Sequence, residues 1–238
     1  MFPYDAQLAA AVRTPPLTIP GVLQVMQSIG ETCEDGDGLK WFNWLYLQVT
    51  QAVEIRVAAG KFHDPAWLSA LDVQFAALYF NALHVSLTGG QCPGCWQAMF
   101  SVRNQTSVAR IQFALAGMNA HINHDLPLAI VATCQATNTI PQRGSPQYDD
   151  YTALNTTLDE LIDTARQTLK VRLLGDPLPP ISHLEDLIAA WDLAAFREGA
   201  WRNADSLWLD CAVAASILEN TIDGVTAFAG KTLLVPVP

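Results

Sequence analysis

Basic residues are scarce in this sequence. Thirteen Lys and Arg stand against 23 Asp and Glu, a formal net charge of −10 with a pI near 4.7. A nucleic-acid surface needs clustered Lys and Arg to displace the counterions of phosphate, so a DNA or RNA partner is excluded. An anionic membrane surface is excluded on the same ground. Charge of either sign is sparse. Charged residues make up 15% of the chain, against about 25% in an average soluble protein. No run of roughly 18 apolar residues is present, so no membrane span is expected. Residues 1–16, MFPYDAQLAAAVRTPP, lack the basic start and apolar centre of a signal peptide. A cytoplasmic protein is the resulting expectation. Also missing are a Gly-rich phosphate loop, a G-x-S-x-G elbow, a dinucleotide fingerprint and any internal repeat.

What is present is apolar. Half of the 238 residues are hydrophobic, seven of them Trp, and a chain of that length can bury a sizeable core. The five cysteines, Cys33, Cys92, Cys95, Cys134 and Cys211, are odd in number. In an intracellular chain they read as free thiols rather than a disulfide framework.

The apolar periodicity is helical throughout. Val22, Val25, Met26 and Ile29 share a helix face, and CEDGDG ends that helix in a turn. Residues 39–59, LKWFNWLYLQVTQAVEIRVAA, are apolar on most sides. They read as a buried helix closed by Gly60. Asp64-Pro65 is a start signal, an N-cap acceptor before a proline, for a helix to about Leu87. GGQCPGC breaks the chain before a short helix over Trp96–Val102. Ser107 to about Cys134 reads as one long helix bent near Pro127. Residues 135–148 form a long loop, for which an active-site lid is one role. Asp149–Leu174 is amphipathic, and residues 175–182, GDPLPPIS, are a linker inside the domain. Ser182 with Glu185 makes a capping box that opens a last helix pair reaching Asp223. Residues 1–20, punctuated by proline, are expected to form a surface arm. The expected fold is one all-α domain over residues 1–238, a bundle of about seven helices.

The most unusual stretch is GMNAHINHDLP at Gly117–Pro127. On a helix, Met118, Ile122 and Leu126 form an apolar stripe, and Gly117, His121 and Asp125 form the next. Asn119 and Asn123 form a third, facing another neighbour. The flanks IQFALAG and LPLAIVA are of the buried kind, and unpaired polarity there would cost several kcal/mol. Partner side chains, a metal or a ligand must satisfy it. His121 and Asp125, spaced i, i+4, can offer an imidazole and a carboxylate to one ion, and His124 lies on the same side as a further ligand or proton shuttle. Such donors suit Zn²⁺ or Fe²⁺. Asp72, on the inward stripe Leu68, Asp72, Phe75, Tyr79, is the next candidate ligand, converging on the same point. Glu54, in LYLQVTQAVEI, is a candidate ligand or general base.

Plainer readings stand beside these. The cluster suits a hydrogen-bonded network that locks helices together. Asp72 suits a salt bridge or cap, and Glu54 a solvated pair with Arg56 or Lys61. His63, His84 and His183 read as surface or half-exposed residues. Cys92 and Cys95 have the spacing of a redox dithiol, but no strand leads into them, and zinc would need two further ligands. They read as a loop. Arg197 and Trp201 are spaced i, i+4, and a bridge from Arg197 to Asp192 or Asp205 is favoured over a substrate anchor. Trp41, Trp44, Tyr46, Tyr79 and Phe80 read as core, with an aromatic pocket as the alternative.

Four segments, FNWLYLQVT, FHDPAWLSALDVQFAALYFNAL, IQFALAGMNAHINHDLPLAIV and FREGAWRNADSLW, together resemble an uncharacterised family of small helical proteins from bacteria and fungi. The resemblance spans roughly residues 40–230, and NAHIN-x-DLP is its most specific part. It implies the helical fold and a role for His121 and Asp125, but no activity. More distantly, size, helical character and a His-rich helix resemble fungal cyclopenase, a zinc-dependent enzyme of alkaloid secondary metabolism. That enzyme contracts a benzodiazepinedione epoxide to a quinolone. This second resemblance implies a Lewis-acid metal on a carbonyl or epoxide oxygen, with His124 or Glu54 moving the proton. The expectation is therefore a zinc-dependent, lyase-like enzyme acting on a small aromatic metabolite. Its expected ligands are His121, Asp125, His124 and Asp72. A metal-dependent hydrolase and a metal-free binding or structural protein are the alternatives.

Overall fold

The structure is a computed structural model, and it describes residues 2–156, 158–161 and 192–236. Among them no strand occurs, in line with the all-α expectation. The helices are α1 (Asp5–Ala11), α2 (Ile19–Thr32), α3 (Gly38–Ala58), α4 (Pro65–Leu87), α5 (Gly94–Phe100) and α6 (Arg110–Ala120). A π-helical turn (His121–Asp125) follows, then α7 (Leu126–Thr137), α8 (Pro146–Ala153), α9 (Leu193–Leu209) and α10 (Ala212–Leu233). Ser182, His183, Glu185, Trp191 and the linker at residues 175–182 lie outside the described residues.

Local chemistry sets half of the helix starts among the described residues. Side-chain oxygens of Thr18, Asp37, Asp64, Ser145 and Asp192 each accept a backbone N–H from the first turn of their helix. This satisfies donors that have no partner within the helix. Gly60, at φ +64°, turns the chain out of α3, a conformation that suits glycine because it has no Cβ.

The centre of the molecule is the rod formed by α6, the π turn and α7. Every residue from Ile111 to Ala120 is buried. Helices α3 and α10 pack along α6, while α4 and α9 pack along α7. α3 comes close to α6 because Gly117 leaves room for a ring. A Cβ on Gly117 would lie 2.3 Å from the Phe42 side chain.

Three expectations change. Residues 1–20 are not a surface arm: α1 folds within them, and Leu8 and Val12 sit in the core. A buried ion cluster fixes this segment, with Arg103 bridging Asp5 at 2.5 Å and Asp37 at 2.9 Å. The long loop shrinks, because α7 runs to Thr137 and α8 starts at Pro146. That leaves residues 138–145, too short for a lid of the expected size. Lastly, Arg197 finds no carboxylate on its own helix. Its Nε donates to Asn155 Oδ1 at 2.8 Å and its Nη2 to the Tyr151 carbonyl at 2.6 Å, while Trp201 packs on Trp67, Tyr148 and Tyr151.

Candidate metal centre

Pro127 shapes the site locally. It has no N–H to give to the turn before it, and its ring crowds the carbonyl four residues back. The rod widens there into a π turn, and the N–H of Leu126 reaches the carbonyl of His121, five residues earlier. That turn carries His121, His124 and Asp125, all buried.

Asp125 is their hub. Its Oδ2 accepts from His121 Nδ1 at 2.9 Å and from the Trp96 indole N–H at 2.9 Å, and its Oδ1 accepts from His124 Nδ1 at 2.7 Å. Burial alone would raise its pKa, but the hydrogen bonds from the two histidines hold it below the usual carboxylate range. An ionised Asp125 fixes the proton of each imidazole on Nδ1 and leaves each Nε2 as the free nitrogen.

The two histidines then face different surroundings. His121 is caged by aromatic rings, with Phe75 stacked at 3.4 Å between centroids and Tyr46 edge-on at 4.4 Å. Burial pushes its pKa below the ordinary value despite the pull of Asp125. Its Nε2 has no partner. For His124, burial works to lower the pKa, but Asp125, Asp223 and Glu219 raise it above the ordinary value.

Around His124 a second cluster assembles. One of its ring nitrogens, the Cys95 thiol and a carboxylate oxygen of Asp223 all lie within 4.8 Å of one another. With Nδ1 held by Asp125, Nε2 is the nitrogen available to an ion. Asp223 is fixed by the N–H groups of Gly94 and Cys95, at 2.8 and 2.9 Å. Those bonds hold it below the usual carboxylate range against the effect of burial. Asp223 also borders an open surface cleft of about 710 Å³, whose lining includes Gly89, Gly90, Gln91, Cys92 and Gln97.

The expected ligand set is therefore redistributed. His121, His124 and Asp125 do come together, but Asp125 spends both oxygens on three donors. Asp72 does not join them. It lines a separate cavity with Tyr46, Phe75 and Arg197. Its Oδ2 has no hydrogen bond. Burial, reinforced by the nearby charge of Glu54, pushes its pKa up to about 7. Glu54 itself is half-buried beside a surface groove with Ser69 and Gln74. Asn119 donates to the Thr226 carbonyl of α10 at 2.9 Å and receives Asn123 at 3.0 Å, a structural tie. Neither Cys95 nor Asp223 is among the ligands that the sequence leads one to expect. The CxxC spacing was the available signal for Cys95, whose thiol meets His124 and Asp223, while Cys92 stands outside that group. Nothing local marks Asp223, which lies 128 residues away.

Fold and site together define an all-α protein with a buried His–Asp–His hub beside a Cys–His–Asp cluster. The chain belongs to DUF5995, a family of unknown function, whose match covers residues 19–236. No curated protein and no solved structure matches it.

Proposed function

We propose that this protein is a metal-dependent enzyme whose ion is held by Cys95, His124 and Asp223 at the edge of the open cleft. The observation that carries this is the convergence of three chemically different ligand atoms within 4.8 Å. A thiolate, an imidazole and a carboxylate form a donor set suited to zinc. Three protein ligands leave a fourth position, as catalytic sites do. The bond from His124 Nδ1 to Asp125 is the outer support that metal-ligating histidines ordinarily have. His121 and Trp96 brace Asp125 in turn. On binding, Cys95 gives up its proton to become the thiolate ligand.

The cleft supports a small polar substrate. Gln91, Gln97 and glycine backbone offer hydrogen bonds there, whereas the aromatic cage is filled by His121 itself. The reaction class is Lewis-acid activation of a carbonyl or related oxygen, serving a hydrolase or a lyase. Ring contraction of the cyclopenase kind is the finer form of that reading, and an apolar aromatic substrate would have to lie across the cleft.

Metal analysis and cobalt substitution test the site. Purified protein should hold about one ion per chain, and a Co²⁺-loaded sample should show a thiolate-to-cobalt band in the near ultraviolet. Cys95→Ser should remove that band, while His124→Ala and Asp223→Asn should lose the ion. His121→Ala should retain it. Protein that takes up neither zinc nor cobalt while remaining folded would overturn the proposal.

A further inference from the structure

The metal reading uses the inner side of α10 and leaves its outer side unexplained. Thr226, Ala227 and Gly230 are buried, and Asp223 turns inward to the N–H groups of Gly94 and Cys95. On the far side run two rows of residues spaced by four. Val213, Ile217 and Thr221 form the first, and Gly224, Phe228 and Thr232 the second. All six are exposed. Val213, Ile217 and Phe228 are 71%, 63% and 74% exposed, and Val225 beside them 67%. Leu209 and Val235 extend this apolar surface at its two ends. At 100° per residue, Glu219 and Asp223 fall on other sides of the helix and Lys231 only at the margin of the stripe. Contiguous exposed hydrocarbon of this kind marks an interaction surface.

Two features say what covers it. The first is Gly224. Glycine weakens the middle of a helix, and a Cβ there would meet nothing within 4 Å. No neighbour inside the chain calls for it, whereas a helix approaching from outside does. The second is the order of the six positions. Counted from either end of the stripe, the steps are the same. A surface that reads alike in both directions can pair with itself about a two-fold axis, as an isologous contact requires.

We propose that this stripe is the interface with a second copy of this chain, α10 lying antiparallel on α10 about an axis between residues 222 and 223. Val213 then meets the partner's Thr232, Ile217 the partner's Phe228, and Thr221 the partner's Gly224. Rows spaced by four are ridges that interlock between helices. Thr221 and Gly224 at the centre let the two backbones approach, and Ile217 with Phe228 buries hydrocarbon on either side. Two copies that each carry a net charge of −10 repel one another in general. A contact is favoured where acidic side chains are missing, as on this face. The 22 residues of α10 span about 33 Å. That is close to the width of the roughly 800 Å² that each partner of a stable complex covers.

Sedimentation of the full chain over a range of concentrations tests this. Wild-type protein should sediment as a dimer. Ile217→Lys and Phe228→Glu should each weaken the dimer at least about a hundredfold, because each buries a charge twice in one interface. Both positions are exposed within one copy, so each variant should keep its helical circular dichroism. The double variant should recover the dimer, since each new lysine meets the partner's new glutamate only in the antiparallel register. Asp223 stays on the inner side, so failure of the metal centre would leave these outcomes unchanged. Another occupant of the stripe, whether a different protein or residues 162–191 of the same chain, would leave the wild-type protein monomeric. A wild-type monomer, a dimer indifferent to the single substitutions, or a double variant that stays monomeric would overturn the proposal.

Discussion

Asp125 and Asp72 are both buried aspartates, and their neighbours send them in opposite directions. Asp125 meets three donors and stays ionised. Asp72 meets hydrocarbon and the charge of Glu54, which raises its pKa to about 7. A carboxyl whose folded pKa is raised holds its proton while the unfolded chain has already released it. The folded state is therefore penalised progressively from about pH 4 to about pH 7, and the penalty is complete above that. Asp72→Asn should leave stability unchanged near pH 3 and increase it by about 2–4 kcal/mol at pH 8. Urea unfolding at the two pH values measures the difference, and an equal effect at both would contradict the raised pKa. The sequence marked both residues as inward-facing by periodicity. It could not separate them, because the sign of each shift depends on side chains from other helices.

At the scale of elements, starts and stops were the most legible part of the chain. Asp64-Pro65 opens α4 and Gly60 closes α3, because a cap or a left-handed turn is local chemistry. The π turn was not legible. Residues i and i+4 lie near one another in either helix type, so the spacing of His121 and Asp125 fits both. Pro127 announces an irregularity but leaves its form to the packing around it. The approach of α3 to α6 yields a direct test. Gly117→Ala would put a methyl group 2.3 Å from Phe42, and relieving that overlap should cost about 1–3 kcal/mol. A lowered denaturation midpoint with an unchanged slope is the expected result. An unperturbed midpoint would mean that the two helices can separate freely.

At the scale of the whole molecule, the Cys95–His124–Asp223 cluster joins elements from three parts of the chain. Cys95 lies in the first turn of α5, His124 sits in the central rod, and Asp223 lies on α10. An ion bound there cross-links them only in the folded state, so binding adds to folding stability. At about one hundred times its dissociation constant, zinc should stabilise the protein by about 2.7 kcal/mol. Scanning calorimetry should show a rise in Tm with zinc and a fall with chelator, both abolished in Asp223→Asn. A Tm indifferent to both additions would separate this cluster from any metal function.

The sequence by itself determined the helical class, the burial of GMNAHINHDLP and the inward placement of His121, Asp125 and Asp72. Periodicity and local capping encode those features directly. Which groups meet was decided only in three dimensions. Trp96 and His121 fill the coordination of Asp125, while Asp72 is enclosed by hydrocarbon. Cys95 and Asp223 reach His124 from distant segments, because α5 and α10 pack on each other. Hydrogen bonds and charge act over a few ångströms of space and carry no trace of how far apart two residues stand along the chain.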